Sequence, residues 1–335
     1  MANSAHARTD REIARVQRHL AGIYADAKKD VTGALKPWAA SIEKRAAALL
    51  VAVNDAEDEA AKRTAKAAYI SFYAQAVKSK QFRAASATAQ ARLYFANVQA
   101  AQYINSKTAK VYADNYNTTG ASLGRSLDGY GFKPVSVADA ERYGDITRQT
   151  VDRGKDTAWN ARNITTAVMA GAALLLTANA LTKHAAGSVA ERNRAGSRRQ
   201  ASDMLTDAES KGTLDSLWRA ADEGFDEIQK EWTCTFDNRT RDTHIEYNDL
   251  GPVPLDYEYT DGLQRPRDPN CGDPAEVCNC RCALTYKTVL QKPGTRSARE
   301  GTVTGSYKRA RSFRDTETVY VQDMTFKEWM EWRSK

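Results

Sequence analysis

Ile13-Ala-Arg-Val16-Gln-Arg-His-Leu20-Ala-Gly-Ile23-Tyr-Ala-Asp-Ala27 places its apolar residues at alternating gaps of three and four. That is the rhythm of a helix that buries one stripe against another helix. Thr9-x-x-Glu12, just upstream, has the capping-box pattern, in which the hydroxyl accepts an amide hydrogen bond and the Glu answers the cap residue's own N–H. Pro37 is expected to mark a break or a new first turn, because its ring removes a helical donor. Beyond it, residues 38–115 contain neither Gly nor Pro and are rich in Ala, Lys, Arg and Gln, so one or two long helices are expected there. Tyr69, Phe72, Tyr73, Tyr94 and Phe95 recur at helical spacing and read as core-facing. A platform for stacking nucleic-acid bases would use the same residues, but aromatic stripes at this spacing are usually core.

The texture then changes. Gly120, Gly124, Gly129 and Gly131, with Asn115, Asn117 and Asp128, predict a hinge over 118–134. It would separate a long-helix region at 1–117 from a central helical region at 135–224, in which helix resumes near Val137. Within the latter, residues 164–181 carry no charge over 18 positions, which just reaches the lower limit for a bilayer span. Six alanines, three threonines and Asn179 favour a helix buried among other helices, so no membrane partner is expected and close packing in an oligomer is a natural use. Lys183, Arg192, Arg194, Arg198 and Arg199 follow, close enough for several to share a helix face.

All five cysteines (234, 271, 278, 280 and 282) fall within one seventh of the 335-residue chain, together with His244, one of four histidines. Thiolate sulfur and neutral imidazole are preferred zinc ligands, and a loop-rich segment of this size benefits from such a staple. His244, Cys271, Cys280 and Cys282 are the candidate ligands for one structural zinc, with Cys234, Cys278 and Asp237 as alternatives for the fourth place. The spacing is not a standard one, since Cys280-x-Cys282 is tight and no second histidine is near. The competing reading is a set of reduced cysteines packed as small hydrophobes, with a histidine fixed by a carboxylate. Disulfides are disfavoured for five cysteines without a signal peptide.

Trp232, Asp237-x-Arg239-x-Arg241-x-x-His244, Gly262, Pro266-x-Asp268-Pro269 and Asn279-Cys280-Arg281-Cys282 preceded by Glu276 follow one another in an order that resembles the C-terminal motif of the Mu F-like minor head proteins of tailed bacteriophages. The likeness covers roughly residues 190–286. Many members of that family carry Cys-x-x-Cys where this chain has Arg241 and His244, a departure that weakens a four-cysteine metal site more than the family resemblance. Trp232, Asp237, Arg241, Asn279 and Arg281 would be its structural residues. The resemblance implies a non-enzymatic head protein located in the virion near the portal. It would act in head assembly and DNA packaging, with portal, major capsid or scaffold protein as partners.

Composition agrees with a soluble, multi-domain chain: 42% of residues are hydrophobic and 27% charged. The first residues lack an apolar signal core, so synthesis in a reducing cytoplasm is expected. The net charge of +7 is local. From Lys287 to Arg314 there are eight Lys or Arg against one acid, Glu300, so the remainder is neutral. This Gly/Ser/Thr-containing arm at 287–314 reads as flexible. Lys308, Arg309, Arg311 and Arg314 would touch DNA phosphates without sequence preference, or dock on an acidic protein face. The segment 315–335 offers a short strand, Thr318–Val321, and a helix containing Phe326, Trp329 and Met330. The overall expectation is a mainly α N-terminal and central region with a small α+β, turn-rich C-terminal domain at 225–286. Two functional alternatives remain: a DNA-binding or ejected internal virion protein using the arm, and a zinc-dependent hydrolase. No P-loop, His-Glu-x-x-His or Gly-x-Ser-x-Gly accompanies the latter.

Overall fold

A computed structural model describes residues 2–127, 129–143, 157–225, 228–236, 239–288, 305–310 and 316–321. For 2–5, 141–143, 157, 305–310 and 316–321 only the backbone is described. The fold is mainly α with a small antiparallel sheet near the C-terminus. Helices α1 (Ala2–Asn54), α2 (Glu59–Ala76), α3 (Lys80–Ser126), α4 (Val137–Tyr143), α5 (Thr157–Ala173) and α6 (Ala178–Asp222) come first. Then follow β1 (Ile228–Thr233), α7 (Asp242–Asp249), β2 (Pro252–Pro254), α8 (Pro274–Val277) and β3 (Ala283–Thr288), and finally the hairpin β4 (Gly305–Ala310) and β5 (Thr316–Val321).

The chain forms two compact units, each discontinuous in sequence. One comprises Met1–Ile13, Asn105–Gln149 and Ala201–Lys335, and the other Ala14–Ile104 and Thr150–Gln200. The expected boundary at 118–134 is therefore not where the units divide. Helix α3 continues through Gly120 and Gly124 to Ser126. Gly120 is there for packing and not for bending: a Cβ at this position would lie 1.9 Å from Cε2 of Phe132, whose ring returns onto the helix. Asn117 fastens the same return by accepting the Val135 N–H (2.9 Å) and donating to its carbonyl (2.8 Å). Around this turn Leu123, Leu127, Tyr130, Leu217, Ile228 and Leu255 form one core cluster.

Several other expectations need correction. Helix α1 begins well before Thr9, so Thr9 and Glu12 are buried interior residues, and Glu12 pairs with Lys107 at 3.6 Å. Pro37 lies inside α1. The lost hydrogen bond is outweighed by burial of Leu35, Trp38 and Ala39 on either side of it. The buried stripe of α1 runs Val16, Leu20, Tyr24, Ala27, Val31, Leu35, Trp38, with Tyr24 in place of Ile23. Residues 38–115 are interrupted twice without Gly or Pro, because side chains cap the new starts. Asp58 accepts from the Ala61 N–H at 2.7 Å, and Ser79 Oγ accepts from the Phe82 N–H at 3.1 Å. Tyr69 and Tyr73 are core, but Tyr94 and Phe95 are exposed.

The uncharged stretch 164–181 is not one helix. Helix α5 ends at Ala173, and Leu176 and Leu175 donate back to the carbonyls of Gly171 (3.2 Å) and Ala172 (3.0 Å). Leu175 occupies the left-handed position of this ending at φ +57°. Ile164, Val168, Ala172, Ala178 and Leu181 are buried on both sides of the turn. Among the described residues no helix is long and apolar enough to cross a membrane. The basic arm is corrected over residues 305–310, which form β4 and pair with β5; the rest of it, and the expected helix at 324–332, lie outside the described residues.

Gly120→Ala should cost about 1–3 kcal/mol, the range for overpacking a filled core. The shift in urea midpoint at unchanged m-value measures it. An unchanged midpoint would mean that the Phe132 ring moves aside freely.

Candidate metal centre

β1 is the middle strand of the sheet, in the order β2-β1-β3, antiparallel on both sides. Its residues alternate, with Ile228, Lys230 and Trp232 buried on one face. Trp232, 1% exposed, packs edge-on against His244 (5.1 Å between ring centres), Tyr247 (5.2 Å) and Tyr259 (4.9 Å). It forms a core cluster with Cys234, Leu263, Cys280 and Cys282, which explains the tryptophan at this point of the motif.

The chemistry sits at the end of β1. Cys234 follows that strand and Cys282 precedes β3, while Thr233 is paired with Ala283. The sulfurs of Cys234 and Cys282 are 3.8 Å apart. His244 lies in the first turn of α7, and its Nδ1 is 3.6 Å from the sulfur of Cys280 and 3.4 Å from that of Cys282. The ligand atoms of His244, Cys280 and Cys282 lie within 4.8 Å of one another, all three residues being buried, so the arrangement is a possible metal site. The far side of the ring is held by Glu276: His244 Nε2 lies 3.0 Å from its carbonyl oxygen and 3.1 Å from its carboxylate. Thr243 and Tyr247 donate their hydroxyls to the same carboxylate at 3.1 and 3.4 Å.

Asn279, at φ +56°, makes the left-handed step that Asn tolerates better than most residues. Cys280 then sits inward, and its sulfur receives the Cys282 N–H at 3.4 Å. Arg241 donates to the Cys278 carbonyl, and the Arg281 carbonyl receives the Thr235 hydroxyl at 2.7 Å. Arg267, also left-handed at φ +64°, donates to the Cys280 carbonyl at 2.6 Å and pairs with Asp203. Arg265 pairs with Asp207 and lies 3.7 Å from Asp268. Gly262 is required by conformation and space together: its φ is +75°, and a Cβ would fall 2.6 Å from the Asn270 carbonyl oxygen.

Contact with the Cys282 thiol, together with burial, pushes the Cys280 thiol well above its ordinary pKa. Contact with Cys234 and burial do the same to Cys282. The two raised thiols, Cys280 and Cys282, share the pocket until a cation makes their ionisation favourable.

Cys271 packs against the edge of the Trp232 core cluster but is not among the three groups whose ligand atoms come together. Its thiol is partly exposed and faces the Asp273 carbonyl at 3.4 Å, so its expected role as a ligand is corrected. Cys278 is exposed. Asp237, Arg311 and Arg314 lie outside the described residues, and Lys308 and Arg309 fall in β4. The orienting role of Glu276 was missed from sequence. The available signal was Thr243-His244-x-x-Tyr247, which sets three polar groups on one face of a short helix. No protein-family model, curated protein or solved structure matches the chain.

Lys230 shares the buried face of β1. It is 0% exposed, its Nζ has no hydrogen-bond partner among the described residues, and it lies 5.7 Å from the centre of the Tyr259 ring. Burial pushes its ammonium down to about 8 from an ordinary 10.5, against the pull of Asp256, Asp268 and Glu258. Between these two values the unfolded chain holds the proton and the folded chain has lost it, so stability rises with pH across that window. Below about 8 the full penalty remains, on the order of 3 kcal/mol at ~1.36 kcal/mol per pKa unit. Lys230→Met should therefore be more stable than the parent at neutral pH and should lose the alkaline rise. Urea unfolding at pH 7 and pH 10 tests both, and equal stabilities at pH 7 would show that the ammonium is solvated.

Proposed function

We propose that this chain is a structural, non-enzymatic head protein of a tailed phage, whose C-terminal motif is stapled by one zinc ion held by Cys234, His244, Cys280 and Cys282. The carrying observation is three of the separations between ligand atoms. Zinc bonds of ~2.3 Å to sulfur and ~2.0–2.1 Å to nitrogen imply tetrahedral edges of roughly 3.8 Å between sulfurs and roughly 3.5 Å between sulfur and nitrogen. The separations are 3.8 Å for Cys234–Cys282, 3.6 Å for Cys280–His244 and 3.4 Å for Cys282–His244. Cys234 is proposed for the place first given to Cys271: its thiol, which donates to the His244 carbonyl at 2.7 Å, would turn toward the three groups whose ligand atoms already lie within 4.8 Å of one another. The contact between His244 and Glu276 supports the same reading, because zinc-bound imidazoles donate their other N–H to a carboxylate or carbonyl.

Four protein ligands leave no open position, which favours a structural over a catalytic metal. The hydrolase alternative fares poorly for a second reason. Both His244 nitrogens are engaged and the Cys280 and Cys282 thiols are raised, whereas a cysteine nucleophile needs a free base and a lowered pKa. The phage-head reading rests on the motif resemblance and gains support from the way Trp232, Arg241, Glu276 and Cys280 gather around one centre. Portal, capsid or scaffold contact follows from that reading. The basic arm adds a DNA contact, which the reading as an internal DNA-binding virion protein would make the main activity.

Purified protein should contain about one zinc per chain by elemental analysis. Cys280→Ser with Cys282→Ser should abolish it and loosen the domain, whereas Cys271→Ser should retain it. Folded, freshly purified protein without metal would overturn the zinc proposal.

For the arm, replacing Lys308, Arg309, Arg311 and Arg314 with Gln should lower the slope of log K against log salt for duplex DNA. The expected drop is up to about four units, at roughly 0.9 per lost phosphate contact. A variant with an unchanged salt slope that no longer joins portal or head shell would identify the arm as a protein-docking element.

A further inference from the structure

The ladder between β1 and β3 pairs Thr233 with Ala283, and one more step along both strands sets Cys234 opposite Cys282. Opposed residues of an antiparallel pair have Cα atoms about 4.5–5.5 Å apart. That separation falls inside the range of about 4.4–6.8 Å over which a disulfide closes without backbone movement. The sulfurs already lie 3.8 Å apart. No other pair is placed this way: Cys280 and Cys282 are two residues apart on one chain, and Cys271 and Cys278 stand outside the cluster. We propose that Cys234 and Cys282 form an oxidation site, at which a hydroperoxide closes a cross-strand disulfide once the metal is absent.

The step balances as follows. The Cys234 sulfur, at 9% exposure the most open of the three clustered ones, attacks one oxygen of hydrogen peroxide, and its thiol, which donates to the His244 carbonyl at 2.7 Å, gives up its proton as the new bond forms. The O–O bond breaks, an S–O bond forms, and hydroxide leaves to combine with that proton as water. The Cys282 sulfur then attacks the Cys234 sulfur, the S–S bond forms, and the S–O bond breaks. The second hydroxide takes up the Cys282 proton as water. Two thiols are oxidised by two electrons and one peroxide is reduced to two waters. Under the zinc reading, on which only the protective part of this inference rests, both sulfurs are committed to the metal and are poor nucleophiles. The same strand ends are thus held by metal in reducing surroundings and by a covalent bond in oxidising ones.

The test uses full-length protein, either zinc-loaded or stripped with a chelator. Each sample is titrated with hydrogen peroxide, alkylated and mapped by mass spectrometry. The stripped protein should lose two thiols per chain and yield a linked peptide joining Cys234 to Cys282. The zinc-loaded protein should do so measurably more slowly, because its sulfurs are committed to the metal. Because single variants at the cluster can unfold, the double variant Cys271→Ser, Cys278→Ser serves as a control and should give the same link. A link mapped to any other pair, or sulfinic acids without a Cys234–Cys282 link, overturns the proposal. If the link forms in protein that binds no zinc, the oxidation site stands and the metal reading falls. If zinc binds but the stripped protein never forms the link, the reverse holds.

Discussion

His244 Nε2 lies 3.0 Å from the backbone carbonyl of Glu276 and 3.1 Å from its carboxylate. A carbonyl only accepts, so Nε2 carries a ring proton, and Nδ1 is the nitrogen that faces Cys280 and Cys282. Everything else about the site depends on that placement of the proton. The opposite one would aim an N–H at two thiols and leave Nε2 against two acceptors. Glu276 is itself fixed by the hydroxyls of Thr243 and Tyr247, so α7 carries both the ligand and part of its support. Trp232 closes the apolar side of the ring, and its burial excludes the water that would otherwise compete for Nδ1.

In the unit formed by Ala14–Ile104 and Thr150–Gln200, a different polar constraint sets helix register. Tyr24 on α1 donates to Asn97 on α3 at 2.7 Å and meets Ser197 on α6 at 2.7 Å. Asn97 donates to Asn193 on α6, which donates in turn to Asn160 on α5, each at 3.0 Å. The surrounding core is largely Ala, Leu and Val, whose smooth surfaces tolerate sliding. A buried ladder of amides does not, since a slip by one turn would leave several polar groups unpaired at about 1–3 kcal/mol each.

How much of this was legible follows from the range of the interactions. The helical character, the Val16, Leu20 and Ala27 part of the buried stripe of α1, the strand near Thr318–Val321 and the clustering of His244 with Cys280 and Cys282 are local patterns, and they read directly. Several misreadings share one cause: a residue whose local meaning was reversed by its packing partners. Gly120 signals flexibility alone but close packing once Phe132 returns to it. Pro37 breaks an isolated helix but not one anchored by Leu35 and Trp38. Cys271 shares its stretch of chain with the ligands, yet the strand register selects Cys234, 48 residues from Cys282. Asp58 and Ser79 are different, since their capping signals were local and were passed over beside a long run without Gly or Pro.

Electrostatics give the motif loop its last constraint. Under the proposed ligation, three thiolates and a dication leave one net negative charge in a buried pocket, which a low-dielectric interior tolerates only beside a positive group. Arg267 is that group. It is 6% exposed, its guanidinium is tied to the Cys280 carbonyl and to Asp203, and the thiols at Cys280, Cys278 and Cys282 favour its charge, although burial pulls its pKa down to about 10. Its left-handed backbone, at φ +64°, costs on the order of 1–2 kcal/mol for a residue with a Cβ. A glycine there would remove the strain and with it the counter-charge. The sequence Pro266-Arg-Asp268-Pro269 therefore reads as an electrostatic element of the site: Arg267 faces the sulfurs, and Asp268 lies beside Arg265 and accepts from the backbone of Gln264 and Asn270.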